Sequence, residues 1–311
     1  MIETLKVACP ICGSKISSLE AKGPDYDCHC CEDQIFKLVK CAACEVLYLN
    51  PRPTREMLGK IYPETYYAGE FDQQANPIVL TARNLRNKSK AKKLLALSHS
   101  KNKSKVLDVG AGDGSLLDAF VALGCLPENM YALELDKSKS KSLKTKLFNN
   151  IFDNVETVKL KPENFDLIVM LQVIEHLANP MGTIRKMQKW LKDGGLILFE
   201  TPNTQSWDRL FFKKELWGGY HFPRHWTLWN KDNVKKILEG SGFKVVQIQT
   251  LPSPVLWAWS LNHVWQKYNL PGQKIFSINS PFVLALFWLL ETFPSLMGKT
   301  GNMQVVARKT G

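Results

Sequence analysis

VLDVGAGDGSLL, residues 106–117, is the stretch whose reading decides the fold. A short buried-strand pattern, KVLDV, runs into a turn with glycines at 110, 112 and 114, and the helical pattern SLLDAFVAL follows and stops near Gly124. Glycine lets a backbone bend tightly and lie close to a ligand, because no Cβ intervenes. A dinucleotide-binding loop would read Gly-x-Gly-x-x-Gly, but Ser115 stands where its third glycine belongs. The spacing is therefore Gly-x-Gly-x-Gly, preceded by Asp108. The next strand pattern, MYALEL, carries Glu134 near its end, twenty-four residues beyond Gly110. An acid there can accept hydrogen bonds from both hydroxyls of a ribose.

The alternation continues outward. FDLIVML, LILFE and FKVVQIQ read as strands, MGTIRKMQKWL and DNVKKILEGSG as helices, a lysine-rich helix follows MYALEL, and MQVVARK is a last strand. Strands alternating with helices of this length indicate βαβ units and a mostly parallel sheet, an α/β fold. Two carboxylates near one nucleoside site, Asp108 and Glu134, disfavour a pyrophosphate ligand and suit one that carries a sulfonium and an ammonium.

Together with FDLIVMLQVIEHLANP and LKDGGLILFETPN, these segments resemble the class I S-adenosylmethionine-dependent methyltransferases, in particular a bacterial subgroup with an N-terminal CPxCG zinc-binding module. KCAACEVLYLNPRPT, the Tyr-rich segment after it and GGYHFPRHWTLWN share in the likeness, which covers nearly the whole chain. The resemblance implies a Rossmann-like seven-stranded sheet. It also implies that S-adenosylmethionine is bound by Gly110, Gly112 and Gly114 with Asp108 and Asp113 beside them, that Glu134 holds the ribose, and that Gln172 meets the methionine end. It assigns no adenine contact, because NIFDNVETVKLKPEN lacks the clear acid that often serves.

Seven of the eight cysteines precede residue 45, and six of them fall into Cys-x-x-Cys pairs. In a reducing compartment that clustering points to metal rather than disulfides. A structural zinc takes four thiolates in tetrahedral array, and its binding would let about fifty residues fold with little core. Spacing alone allows Cys9 and Cys12 to join either Cys28 and Cys31 or Cys41 and Cys44, with His29 able to replace a sulfur. The resemblance implies Cys9, Cys12, Cys41 and Cys44. A closed four-sulfur shell leaves no position for water, so the role is structural. Cys125, alone in an apolar stretch, reads as a small buried hydrophobe.

This reading divides the chain into a zinc ribbon (1–50), a linker and helical cap (51–100), the core (101–250), a helical apolar insertion (251–302) and the last core strand (303–311). Within the cap, residues 77–97 suit an amphipathic helix with its lysines on the solvent side. From Arg83 to Lys105 there are nine Lys or Arg and no acid, a large part of the net charge of +12. Such a run is either a solvated face or a contact surface for nucleic acid, phospholipid headgroups or a sugar phosphate. In the insertion the longest unbroken apolar run, Phe282 to Leu290, has nine residues. Spanning a bilayer takes about twenty, so the insertion is a packed lid, an interfacial segment or the wall of a pocket for a lipid-bearing acceptor. The N-terminus lacks the pattern of a signal peptide, which predicts a cytoplasmic protein, with peripheral contact at the inner membrane face as an extension.

Methyl transfer from a sulfonium is an in-line displacement, so holding donor and acceptor in line does much of the work, and a base helps when the acceptor is a hydroxyl. His221 and His225 flank Pro223 and Arg224 in GGYHFPRHW, after the strand ending in ETPN and on the carboxyl edge of the sheet, where ligands of open α/β sheets bind. The expectation is that His221 or His225 is the base and Arg224 orients the acceptor. Glu175 and His176 sit at the corresponding end of FDLIVML. Similar acidic positions bind a divalent metal in the O-methyltransferases of quinone biosynthesis that the segment resembles, though one Glu alone makes a weak case, and His176 equally suits a structural contact at a helix start. His99 and His263 have no evident partner. The reaction expected is O-methylation of a small-molecule, glycan or lipid-linked acceptor. Two alternatives compete. One is an RNA or DNA methyltransferase gripping nucleic acid through the zinc module and basic run, although LQVIEH lacks the Asn/Asp-Pro-Pro-Tyr/Phe motif of amino-methylating enzymes. The other is a scaffold that binds the cofactor without turnover.

Overall fold

The computed structural model of the chain describes every residue except 32–33, 64–75, 136–142, 144–145, 147, 213 and 272–275. The Tyr-rich segment and the lysine-rich helix expected after MYALEL lie largely outside the described residues.

Five short strands come first: β1 (Thr4–Leu5), β2 (Ser17–Gly23), β3 (Phe36–Cys41), β4 (Leu47–Leu49) and β5 (Arg52–Pro53). The central sheet is built from β6 (Val106–Val109), β7 (Met130–Glu134), β8 (Asn149–Phe152), β9 (Phe165–Leu171) and β10 (Leu191–Pro202). After the two-residue β11 (Thr227–Leu228) it is completed by β12 (Phe243–Leu251) and β13 (Asn302–Lys309). Its order is β12-β13-β10-β9-β6-β7-β8, parallel except that β13 runs antiparallel to both β10 and β12. From β6 the chain moves to β7 and β8 on one side and then crosses to β9 on the other. The crevice at the carboxyl end of β6 and β9 is thus a topological switch point, where ligands bind in such sheets.

Alternate residues of each strand face opposite sides. Leu107, Val109, Ile168, Met170, Ile197 and Phe199 enter one core, and Val106, Leu167, Val169, Leu196 and Leu198 the other. Helix α1 (Pro77–Leu97) starts at the N-cap Asn76, whose Oδ1 accepts from Ile78 N at 2.9 Å, with proline at the first helical position. It packs against α2 (Ser115–Val121), the helix after the glycine turn. The amphipathic stripe expected for α1 holds only in its second half: Ala91, Leu94 and Leu95 are buried, whereas Ile78 and Leu85 are exposed. Lys90 breaks the expected lysine face by turning inward, where its Nζ meets Glu200 at 2.8 Å. On the other sheet face α3 (Pro180–Trp190) buries Thr183, Ile184, Met187 and Trp190, a helical spacing.

The boundary expected at residue 50 is crossed by a sheet. β2, β3 and β4 form a four-stranded antiparallel sheet whose outer member is β11, from the GGYHFPRHWTLWN loop. Fifty residues have too little apolar surface for a core of their own. Phe36, Leu38, Leu47 and Leu49 accordingly share one with Trp217, Tyr220, Phe222, Trp226 and Leu256. Besides the single turn Leu58–Ile61, the further helices among the described residues are α4 (Trp207–Phe211), α5 (Lys231–Glu239) and three between β12 and β13: α6 (Pro254–Lys267), α7 (Pro281–Leu290) and α8 (Thr292–Leu296).

Candidate active site

The glycine turn opens a cavity of about 230 Å³ lined by Arg83, Asn87, Lys90, Asp108, Gly110, Gln172 and Glu200, among others. Gly110 sits at φ +73°, and a Cβ there would lie 2.5 Å from Val173 Cγ2, so both conformation and space demand glycine. Gly112 and Gly114 also take left-handed φ, and the backbone N–H of Gly112 donates to Glu134 Oε2 at 2.9 Å. The acid at the end of β7 is thereby brought beside the turn that ends β6. Asp113, one residue before the N-cap Gly114, accepts from Ser115 N at 2.9 Å and pairs with Arg83 at 2.7 Å. Gln172 adopts φ +53°, a strained value for a side-chain-bearing residue, with its N–H held by Glu200 O at 2.9 Å. Burial pushes the Asp108 carboxyl up to about 7; the Lys90 charge offsets part of this, and Glu134 and Asp113 add to it. A second cavity of about 100 Å³, lined by Val7, Tyr48, Arg52 and Trp226 among others, contains neither carboxylate nor imidazole.

Immediately beyond Gln172 and Val173, the short helical turn Ile174–His176 begins a cluster of imidazoles. The His176 ring lies 4.7 Å from that of His225 and 6.4 Å from that of His221, and the His221 and His225 rings are 5.0 Å apart. His225 Nδ1 faces Gly219 O at 2.8 Å, and a carbonyl can only accept, so Nδ1 carries the proton. Burial, then the neighbouring His176 and His221, hold His225 well below the usual imidazole range, and burial likewise takes His176 down to about 3. His221 Nδ1 lies 2.7 Å from Asp27 Oδ2. The other oxygen of Asp27 receives His263 Nε2 at 2.8 Å, while His263 Nδ1 faces Leu216 O at 3.2 Å. Burial would raise the Asp27 carboxyl, but His263 and His221 outweigh it and hold it well below the carboxylate range. Asp27 is therefore ionised, and His221 must donate to it.

His221 and His225 thus come together as expected, but Arg224 between them does a different job. Its side chain is fully buried and forks onto Asp25, Nη1 to Oδ1 at 2.8 Å and Nη2 to Oδ2 at 2.9 Å, while Nε donates to Ile61 O at 2.7 Å. The expectation that Arg224 orients an acceptor is corrected: it clamps the 221–225 loop to the N-terminal sheet. Glu175 is also fully buried, and among the described residues its carboxyl oxygens have only a weak approach to the Thr201 hydroxyl, short of a well-formed hydrogen bond. Burial raises it to about 8. Its ligand atom and those of His176 and His225 lie within 4.8 Å of one another, a set able to hold a metal ion.

The four cysteines Cys9, Cys12, Cys41 and Cys44 converge, all sulfurs within 4.8 Å, with Cys9–Cys44 and Cys12–Cys41 each 3.5 Å apart. Sulfurs at about 2.3 Å from a tetrahedral zinc stand roughly 3.8 Å from one another, so the set fits that ion. Cys30 and Cys31 lie apart from it, grouped with Asp25, and Cys30 Sγ is 3.2 Å from Arg224 Nη2. Cys125 is buried in the core behind α2, as expected.

Sequence reasoning missed Asp25, Asp27, Tyr62, Lys90, Glu200 and His263. Tyr62 places its hydroxyl 2.7 Å from His176 Nδ1, and Glu200, which lines the cavity with Lys90, pairs with it and accepts from Gln304 Nε2 behind. Only Glu200, in the ETPN strand end, carried a local signal. The others are brought to the site by partners as many as 236 residues away, as for Asp27 and His263.

Residues 82–248 match the sequence profile of the methyltransferase domain family. A ubiquinone biosynthesis O-methyltransferase of a Ruegeria species is 27% identical over 168 residues, 51% of this chain and 68% of that protein. Its counterpart from a Cereibacter sphaeroides strain is 26% identical over 172 residues, again 51% and 68%. Among solved structures, the Burkholderia thailandensis 1,6-didemethyltoxoflavin-N1-methyltransferase with bound S-adenosylhomocysteine superposes with a TM-score of 0.52. It is 12% identical, with 89% of this chain and 96% of that one covered, a likeness of fold.

Proposed function

The chain belongs to the methyltransferase domain family and is an S-adenosylmethionine-dependent methyltransferase, and from that premise we propose that it O-methylates a small-molecule, glycan or glycolipid acceptor held beside His221 and His225. One observation carries this reading: a carboxylate, Asp27, accepts the Nδ1 proton of His221 within a buried group of three imidazoles next to the cofactor crevice. Bound at the glycine turn, S-adenosylmethionine supplies an electrophilic methyl group. The chain's own residues hold it and prepare the acceptor. Glu134 and Asp108 offer carboxyl oxygens to a ribose and a cation, and Gly110 lets the backbone come close. His221 takes the proton of the acceptor hydroxyl, and Asp27 stabilises the imidazolium that results. His225, kept neutral by burial, is the alternative proton acceptor. The O-methyltransferase names of the sequence relatives support an oxygen acceptor.

The same reading gives Cys9, Cys12, Cys41 and Cys44 a structural zinc, makes residues 1–50 the zinc ribbon of the CPxCG subgroup, and makes the helices between β12 and β13 an inserted wall of the acceptor site in a cytoplasmic enzyme. Within the basic run Arg83, Lys90 and Lys93 turn to Asp113, Glu200 and Gln249, whereas Arg86, Lys88, Lys92, Lys101 and Lys103 are exposed, so what weighs against the nucleic-acid alternative is LQVIEH in place of an Asn/Asp-Pro-Pro-Tyr/Phe motif. Replacing His221 and His225 together by Ala is expected to abolish transfer of labelled methyl to acceptors in a cell extract, while S-adenosylhomocysteine binding by calorimetry stays within a few-fold of wild type. Unchanged turnover in that variant would remove the base assignment.

A further inference from the structure

Helix α7, PFVLALFWLL, has no charged residue, and Phe287 is the one buried member of its ten. At about 100° per residue, Trp288, Ala285, Leu289, Phe282, Leu286 and Leu290 fan across an exposed arc of roughly 200°. That is about twice the stripe of roughly 100° by which a helix packs on a protein core. Phe282 is 88% exposed, and Leu296 of α8 is 87% exposed. Helix α4 extends the surface: its Trp207 ring lies 5.3 Å from Phe293, and its exposed Phe211 lies 5.8 Å from Trp257. Soluble monomers seldom leave so broad a contiguous apolar face uncovered.

The charges around this face select what covers it. Residues 251–302 contain three lysines and a single acid, Glu291. That acid is buried and accepts hydrogen bonds from the backbone N–H groups of Ser253 and Gly301 and from the Trp257 indole, so it offers no negative charge to the surface. Lys299 is exposed just beyond α8, Lys231 Nζ reaches Gly298 O at 2.9 Å, and exposed Lys214 follows α4. A second copy of the chain would set this lysine rim against its own image, as an isologous contact must. An anionic lipid surface meets it with the opposite charge. Ten helical residues extend about 15 Å, suited to lying in a bilayer interface, and among the described residues no helix is long and apolar enough to cross a membrane.

We infer that α7, α8 and α4 seat the protein on an anionic bilayer. This rests on the function proposed above and deepens it, by making the acceptor a lipid-linked molecule. Helix α6 connects the two places. Its Trp257 stacks on Phe287 of α7 at 6.3 Å, its Trp259 stacks on His221 at 5.3 Å, and its His263 reaches Asp27. A headgroup whose lipid tail stays in the bilayer meets the same helix that walls the imidazoles.

The test is cosedimentation of the full chain, purified with zinc present, with vesicles of phosphatidylcholine alone or mixed with phosphatidylglycerol. Binding to the mixed vesicles, weaker binding to the neutral ones, and a loss of at least roughly a hundredfold in the triple variant Phe282→Asp, Leu289→Asp, Leu296→Asp are expected. S-adenosylhomocysteine binding by the variant shows that it is folded. Two results overturn the inference: wild type that binds S-adenosylhomocysteine but ignores the mixed vesicles, or a triple variant that still sediments with them. A concentration-dependent dimer abolished by the same three substitutions would overturn it too, by showing that a second copy covers the face. None of these outcomes touches the base assignment, which the His221 and His225 substitutions read separately.

Discussion

The cofactor crevice and the imidazole cluster adjoin at Gln172 and Val173, yet they are assembled in opposite ways. The crevice is made largely of neighbours in sequence: the turn from Asp108 to Gly114, the acid ending the next strand, and one residue past β9. The imidazole cluster draws Asp25 and Asp27 from the connection between β2 and β3, Tyr62 from the linker, His176 from the turn after β9, His221 and His225 from the loop before β11, and His263 from α6. The first is set by the turn after β6 and its neighbours in the core sheet, with Arg83, Asn87 and Lys90 of α1 and Glu200 of β10 closing it. The second depends on five segments docking, so it is the more fragile of the two.

Metal removal tests that difference at its largest. Structural zinc in small modules releases roughly 10–16 kcal/mol on binding, more than the N-terminal sheet has in core contacts of its own. Chelation, or Cys9→Ser with Cys12→Ser, is expected to melt residues 1–50, withdraw Asp25 and Asp27 from the loop, and abolish methyl transfer. S-adenosylhomocysteine binding should persist, because the crevice takes no residue from that module. Calorimetry beside a turnover assay separates the two. Full activity in metal-free protein would mean that the cluster does not depend on the cysteine site.

The same contrast explains what could be read from the sequence. Gly110, Gly112, Gly114 and Glu134 were legible because a tight turn and a strand-end acid leave a local spacing, and six of the seven strands of the core sheet were legible from their apolar runs; β8, NNIF, was missed because half of its four residues are polar. Arg224 was misjudged because nothing within GGYHFPRHW reveals a carboxylate that comes from residue 25. His263 looked solitary because its partner, Asp27, arrives from the far end of the chain. Lys90 was placed on the solvent face by helical period alone, whereas a buried Glu200 draws it inward.

The Arg224–Asp25 clamp gives the next effect in size. Removing one member of a buried ion pair leaves a charge without compensation and costs about 3–5 kcal/mol. Arg224→Met should lower the urea midpoint accordingly, and adding Asp25→Asn should restore a good part of it. If the two single losses simply add, the clamp is not what joins loop and sheet. On the cofactor side, Gly110→Ala forces a left-handed φ on a side-chain residue and a clash with Val173, at a cost of roughly 1–3 kcal/mol. The expected reading is weaker cofactor binding with the imidazole cluster intact. Val173→Ala should relieve the clash but not the strain, so partial rescue is the outcome that supports this account.

The smallest effect follows from carboxyls of one type shifted in opposite directions. Asp25 is buried and Asp27 half-buried, but the Arg224 guanidinium grips the first and the imidazoles of His263 and His221 face the second, so both are held low. Asp108 is as buried as Asp25, its neighbours include two other acids, and Lys90 compensates only in part, so it rises to about 7. With the folded value raised, the contribution of Asp108 to stability is complete below the unfolded value near ~3.9 and is lost as pH climbs through about 7. A bound cation reverses the preference, because it favours the ionised carboxylate. Below pH about 7, binding S-adenosylmethionine must therefore expel a proton, and affinity falls as pH is lowered, by at most about tenfold per unit. Titrations at pH 6 and 8 should differ by about threefold to tenfold for S-adenosylmethionine, less for S-adenosylhomocysteine, whose sulfur is neutral, and hardly at all in Asp108→Asn. Equal slopes for wild type and Asp108→Asn would show that the carboxyl beside the glycine turn does not sense the charge of the ligand.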